Sequence, residues 1–471
     1  MPPGPALSFF GDNRSCVPAI APWEAFKNLN RCYGPVVSFF LGSTPVVVLG
    51  TAQAAWDLLE KRGDIYSSRP RNIMANEILS GGMRGIGMPY GPRWRKWRTL
   101  QQSALNIQAS ATYRVLQTIE SSILLRELLK TNNPESHRSH MMRYAISITF
   151  CVAYGRRVEE LNDPLVIANQ RIEQRELWAG NTPLQWFRYK ADRDRAFDTR
   201  VYMDALNDVK ARLKQGIAQP SMATHAIEKQ EEFGLNDLET AYALSAPWSA
   251  GVATTISAIE VAILAMLHFP SVMRDAQKEL DNVIGNSRLP SFADYDSLPY
   301  MQALLKETLR WRPIAPTGVA HSVTEDNVYN GMFIPRGSTV YANIYEIVSD
   351  PQLFPDPDKF MPERFLNSSD ARLANYTVSF GFGRRICPGL HIAQQSMFII
   401  IARMLWAFDV LPLKDGDGNV TIPSSNDFTK AGLVRRPVNL KYRLAPRQEG
   451  VREIINSEAE RAEAEAAAWD T

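Results

Sequence analysis

Apolar residues along the chain recur mostly three or four positions apart, the spacing of one helix face. Segments from Leu100 to Lys130, Leu161 to Arg175 and Ala196 to Gly216 read this way. A longer apolar run, from about Asn236 to His268, predicts a single helix roughly 50 Å long, enough to cross a domain. Asn236 and Asp237 can cap its start, and Pro270 stops it. Pro247 and Gly251 interrupt it, and a local distortion is expected at Pro247, which removes a helical hydrogen bond. A further helix is predicted from about Leu298 to Trp311, capped by Ser297, with Met301, Leu304, Leu305 and Leu309 as its stripe. A last apolar helix runs from Leu390 to about Phe408.

Alternation takes over in two places. Val36 to Leu49 carries β-branched runs around Gly42-Ser43-Thr44-Pro45, a hairpin signal. Val328 to Tyr341 is a second β patch, with turns at Asn330-Gly331 and Pro335-Arg336-Gly337. The tail, Glu453 to Asp470, is rich in Glu and Ala and predicts a solvated or fraying helix outside the core.

Composition narrows the class. The chain has 471 residues, 45% of them hydrophobic, so a large core is available. Lys+Arg 52 against Asp+Glu 50 argues against global nucleic-acid binding. Cys16, Cys32, Cys151 and Cys387 stand alone, without the pairing of a disulfide framework. No uninterrupted apolar stretch of about 18 residues occurs, as a membrane-spanning helix would need. The nearest, Met397 to Leu411, is broken by Arg403 and Asp409 and reads as a buried core helix.

The chemistry concentrates around one cysteine. The segment reads Phe380-Gly381-Phe382-Gly383-Arg384-Arg385-Ile386-Cys387-Pro388-Gly389. A thiolate ligand needs an apolar setting and backbone N–H donors around the sulfur. Glycines let the chain curl around it, and the helix that follows points its positive end toward it. A lone cysteine is ordinarily a small buried hydrophobe. Packing alone does not account for the glycines and the arginine placed around this one.

These residues resemble the cysteine-ligand signature of the cytochrome P-450 family, Phe-x-x-Gly-x-Arg-x-Cys-x-Gly, at every fixed position. The resemblance implies a mainly α fold with small β-sheets, with haem between the long helix and the cysteine loop. Cys387 would be the axial ligand of haem b. Phe380, Gly383 and Gly389 would shape the haem seat, and Arg385 would pair with a propionate. Trp94 and Arg98, in Arg93-Trp94-Arg95-Lys96-Trp97-Arg98, resemble the family's Trp-x-x-x-Arg motif and would serve a propionate. His321 stands where a contact to the other propionate is expected. Glu307 and Arg310, with Arg364 of Pro362-Glu363-Arg364-Phe365, resemble the family's structural brace.

Ala250-Gly251-Val252-Ala253-Thr254-Thr255 is similar to the oxygen-binding motif. Ala250 and Gly251 would leave room for O2, while Thr254, with Thr255, would donate a hydrogen bond and relay protons. Ala253 replaces the usual acid. The resemblance covers roughly Pro2 to Ala445 and is to fungal microsomal members of secondary metabolism. It implies a monooxygenase acting with O2 on an apolar terpenoid or aromatic substrate. Electrons would come from NADPH-cytochrome P-450 reductase, and Arg93, Arg95 and Lys96 either face that partner or form a solvated charge run. The endoplasmic reticulum membrane, cytosolic face, is the implied location.

Residues 1–20 would be a Pro-rich segment without an anchor, 21–446 one domain, and 447–471 the tail. Pro2-Pro3-Gly4-Pro5 resembles the hinge after a membrane anchor, so either the chain is truncated or its membrane contact is peripheral. Leu177 to Asp194, with Trp178, Leu184, Trp186 and Phe187, is short for the lid helices of relatives. A haem-thiolate isomerase or dehydratase, and a haem-binding protein with impaired catalysis, remain compatible with the residues.

Overall fold

The computed structural model describes all residues except 9–10, 132, 169, 173–187, 367, 415–418 and 471. Much of the lid segment expected at Leu177 to Asp194 therefore lies outside the described residues, as does part of the helix expected at Leu161 to Arg175.

Two elements open the chain, α1 (Pro22–Tyr33) and the hairpin β1 (Val36–Leu41) and β2 (Thr44–Leu49). Then come α2 (Pro92–Leu105), α3 (Arg114–Lys130), α4 (Pro134–Tyr154), α5 (Arg188–Gln215), α6 (Asp237–Leu244), α7 (Ala246–His268), α8 (Pro270–Ile284) and α9 (Pro299–Trp311). Four short strands follow: β3 (His321–Ser322), β4 (Asn327–Tyr329), β5 (Met332–Ile334) and β6 (Thr339–Ala342). The chain closes with α10 (Leu390–Ala407), β7 (Phe408–Lys414), β8 (Val420–Thr421), β9 (Tyr442–Pro446) and α11 (Val451–Asp470). The expected mainly α fold with small sheets is present.

The sheets are small and peripheral. One has the order β1-β2-β6-β3, with β2 and β6 parallel and the other pairs antiparallel. The pairing of His321 with Val340 carries that histidine onto the sheet. Strands β4 and β5 form a hairpin turning at Asn330 and Gly331, both left-handed, as a two-residue turn between right-twisting strands requires.

The long helix is two helices. Its start is capped as expected, Asn236 accepting from the Glu239 N–H in a reciprocal capping box. It breaks at Ser245, and Pro247 lies in the first turn of α7, where a missing N–H costs nothing. Most of α7 is buried and packs closely against α4. By mean hydropathy the Asp237–His268 stretch is apolar enough to cross a membrane, but 78% of its most apolar window is buried inside the protein.

Three expectations need correction. Leu100 to Lys130 is not continuous, because Asn106 ends α2 and caps a short helix of its own. Ser297 does not cap α9; Leu298 holds that position and Glu279 accepts from the N–H groups of Tyr300 and Met301 at 2.8 and 2.9 Å. The C-terminal helix forms but is not solvated all round. Val451, Ile455, Ala459, Ala462 and Ala466 are buried, the last two alanines against Ile119 and Ile123 of α3. The small side chains let the two helices approach, so an Ala-rich face becomes a packing seam.

Candidate active site

The cysteine loop is a set of tight turns. Gly381 and Gly383 take left-handed φ values of 86° and 57°, which few other residues tolerate. The Cys387 N–H donates to the Phe380 carbonyl at 2.9 Å, and the Ile386 N–H to that of Gly383 at 3.1 Å. Cys387 is half-buried. Burial pushes its thiol up, opposed by a hydrogen bond from the Gly389 N–H and the positive charge of Arg98. Those two groups favour a thiolate, as a metal ligand requires. Phe380 packs half-buried on the core, and open space surrounds the position a side chain would take at Gly389. At Gly383 that position lies 2.1 Å from the Leu59 carbonyl oxygen, so this glycine admits a neighbouring turn.

On one side of the loop sits the expected brace. Glu307 accepts from Arg310 Nε at 2.6 Å and Nη2 at 2.8 Å, from Arg364 Nε at 3.2 Å, and from the Met361 N–H at 2.8 Å. Glu307 and Arg310 are fully buried. Arg310 also donates to the carbonyls of Val348 and Lys359. The adjoining Leu309 carbonyl accepts from Ser379, one residue before Phe380, which links α9 to the loop.

On the other side sits a cluster of a different kind. Arg385 donates to the carbonyls of Ser67, Gly85 and Met88 and lies 4.1 Å from the centre of the Trp94 ring. Arg98 donates to the Ile386 carbonyl at 2.8 Å, while its Nε is buried without a partner. Arg69, buried, donates to the carbonyls of Ile86, Val319 and Ala320. His321 Nδ1–H donates to the Tyr66 carbonyl at 2.7 Å. Burial, with Arg69 and Arg385 nearby, pushes its imidazole down to about 3. Among the described residues no carboxylate pairs with Arg69, Arg98 or Arg385.

Arg69 was not anticipated. In Tyr66-Ser67-Ser68-Arg69-Pro70 it is one arginine in a loop, with no motif around it.

Near the start of α7 one stripe is left uncovered. Ala250 is exposed, and Gly251, Ala253 and Thr254 are half-exposed, in a helix otherwise buried. Thr254 Oγ1 donates to the Ala250 carbonyl at 2.7 Å, and Thr255 is buried. Gly251 does not open toward this groove. A side chain there would meet Thr149 of α4 at 2.7 Å, so the residue serves helix packing. Three cations with no carboxylate partner among the described residues, and one orphaned guanidinium nitrogen beside the cysteine loop, fit a group that carries carboxylates, as the propionates of haem do.

The family model for cytochrome P450 matches residues 1–443. The chain belongs to the cytochrome P450 family. Cytochrome P450 monooxygenase 58 of Postia placenta is 37% identical over 97% of this chain and 90% of that protein. The echilunin cytochrome P450 monooxygenase of Aspergillus ruber is 35% identical over 87% of this chain and 78% of that protein. A zebra fish cytochrome P450 structure with progesterone superposes with a TM-score of 0.77, covering 90% of this chain and 99% of that one. At 24% identity that match speaks for the fold. This cytochrome P450 is therefore an oxidoreductase of the monooxygenase class, and the family implies a cysteine-ligated haem. The C-terminal helix α11 lies beyond the matched span.

Proposed function

We propose that this cytochrome P450 inserts one oxygen atom from O2 into an apolar terpenoid or aromatic molecule of fungal secondary metabolism. The observation that carries the reading is Cys387, set among N–H donors beside a cation cluster that lacks its anions. When bound, a haem ligated by the Cys387 thiolate supplies the oxidising chemistry, the sulfur's electron donation favouring O–O cleavage.

The chain's own residues do the rest. Arg69, Arg98, Arg385 and His321 bind and orient the two propionates, with the Trp94 ring behind Arg385. Gly389 N–H and Arg98 hold Cys387 deprotonated. Thr254 Oγ1 donates to the Ala250 carbonyl and can accept a hydrogen bond from water; to relay a proton it turns its O–H from that carbonyl to the acceptor and takes the replacement proton from the water. Ala253 supplies no acid, so protons reach Thr254 from solvent along the uncovered stripe. NADPH-cytochrome P450 reductase is the electron source, at the endoplasmic reticulum membrane that the family resemblance implies. Of the basic run, Arg93 reaches Glu239 and Lys96 the Gly234 carbonyl, so their charges are partly engaged within the chain.

Ala253 favours a second reading, an isomerase or dehydratase that needs no protons on oxygen. Labelled O2 with NADPH, reductase and a pathway intermediate separates them. Label in the product is expected, and conversion without it establishes the second reading. The reduced carbon-monoxide complex should absorb far to the red of a histidine-ligated haem. If Cys387→Ala kept that band, the assignment of the ligand would fail.

A further inference from the structure

The stretch from Pro313 to Ala320 joins α9 to β3 without a helix or strand of its own. A chain of that kind is fixed by whatever meets its backbone groups. At the far end Arg69 donates to the carbonyls of Val319 and Ala320 at 2.8 and 2.7 Å, next to His321. In the middle the Tyr345 N–H donates to the Pro316 carbonyl at 3.0 Å, and the Gly318 N–H to that of Ala315 at 3.0 Å. At the near end both donors come from one residue. Arg435 donates from Nε to the Pro313 carbonyl at 2.8 Å and from its backbone N–H to the Ile314 carbonyl at 2.8 Å.

Arg435 belongs to the loop between β8 and β9, and this loop and the stretch exchange arginines. Arg312, just before Pro313, donates to the Ser425 carbonyl at 2.9 Å and to Asn426 Oδ1 at 3.1 Å. Both arginines are buried. The Arg435 guanidinium lies 4.7 Å from the centre of the Phe428 ring and 5.1 Å from that of Tyr345, so aromatic faces meet its charge. Among the described residues no carboxylate pairs with it, and its Nη2 is buried without a partner. The Nε bond to Pro313 is therefore what ties the side chain to the stretch.

We propose that Arg435 is a positioning residue for the propionate cluster: it anchors the start of a stretch whose end carries the acceptors of Arg69 and the imidazole of His321. The inference rests on the haem reading above. A guanidinium that touched a propionate itself would lose as much on replacement by an amide as by a thioether. An anchor that acts through Nε would not, because the Gln amide nitrogen stands as far along its side chain as Nε does in Arg.

The test uses the haem-loaded full chain and three variants, Arg435→Met, Arg435→Gln and Arg312→Met. Amide exchange at Gly318 and Tyr345 reads the stretch, the hairpin 36–49 serves as control, and haem transfer to an acceptor protein reads the cluster. In Arg435→Met, exchange at both amides should be about tenfold faster, the effect of losing one hydrogen bond from a charged donor. Haem loss should be several-fold faster, with the hairpin unchanged. Arg435→Gln should stay near wild type, and so should Arg312→Met, which leaves Pro313 and Ile314 held. Exchange or haem loss equal in Arg435→Met and wild type would overturn the proposal. So would a Gln variant that behaves like Met, an Arg312→Met effect of the same size, or loosening that extends equally to the hairpin. A wild-type chain that takes up no haem would refute the haem reading instead, and exchange at Gly318 and Tyr345 in the haem-free chain would still judge the anchor.

Discussion

Arg310 and Arg364, on one side of the cysteine loop, share the carboxylate of Glu307, whereas Arg69, Arg98 and Arg385, on the other side, share none among the described residues. Both groups lie largely out of water. The brace closes its own electrostatics, each oxygen of Glu307 meeting a guanidinium. The second cluster leans on backbone carbonyls and an aromatic face, and its positive charge stays open. A fold can hold such a cluster only at a cost in desolvation and like-charge repulsion. The difference is the one expected between a structural brace and the propionate-binding cluster proposed above, made of the same residue type.

Breaking the brace should have the largest effect. Glu307→Ala strands Arg310 in the core, and removing one partner of a buried pair costs about 3–5 kcal/mol. Thermal unfolding of the variant should begin far below that of wild type, with or without haem. Stability unchanged by this substitution would mean the brace is not what holds α9 to the loop.

Acid should reveal the open cluster next. The unfolded chain takes up a proton at His321 near 6.5, while the folded chain refuses it until about 3. Between those values the unfolded state binds more protons, so stability falls as pH drops. The His321 contribution to that loss is on the order of a few kcal/mol across the window. His321→Asn should flatten the profile, because Asn takes up no proton there. Haem loading should flatten it too, since a propionate makes the charged imidazole tolerable. Denaturant midpoints measured from pH 6.5 downward read both effects.

Arg385→Met separates the two regions directly. Removing one cation from a crowded set relieves repulsion, which offsets part of the loss of its bonds to the carbonyls of Ser67, Gly85 and Met88, so the haem-free variant should lose far less stability than Glu307→Ala. Haem retention should fall, because a charge-assisted bond to a carboxylate is worth about 1.5–3 kcal/mol. Haem loss to an acceptor protein measures it. A drop in haem-free stability comparable to that of Glu307→Ala would erase the distinction drawn here.

How much of this was legible in the chain follows from how local each signal is. The brace is a pair three residues apart plus a four-residue motif, and the cysteine loop is ten consecutive residues, so both stood out. Arg69 did not, because its meaning comes from Arg98, His321 and Arg385, which only the fold brings near it. Thr254 and Gly251 were read as one motif, but the position of a side chain at Gly251 lies against Thr149 of α4. Sequence shows that a residue is small, not which helix takes the space. The break at Ser245 was expected at Pro247, because a proline tends to end up in the first turn of the helix that follows a break. The tail was read as solvated since its apolar face is alanine, too small to register as a stripe until α3 is seen to fill it.

The smallest expected effect concerns what steadies an arginine that has no anion. Arg385 lies 4.1 Å from the centre of the Trp94 ring, and in the brace Arg310 lies 5.4 Å from that of Phe354. A cation over an indole gains about 0.5–2 kcal/mol, with less over a phenyl ring. Trp94→Phe keeps an aromatic face but weakens its pull on the guanidinium. It should lower haem-free stability by under about 1 kcal/mol and speed haem loss slightly. In an Arg385→Met background the same change should leave only its packing cost, since no cation remains to attract. Phe354→Leu should show no such dependence on Arg310, whose charge Glu307 already meets. A double-mutant cycle over both pairs measures the coupling energies. Coupling at Trp94–Arg385 above that at Phe354–Arg310 would show that the ring does for the open cluster part of what the carboxylate does for the closed one.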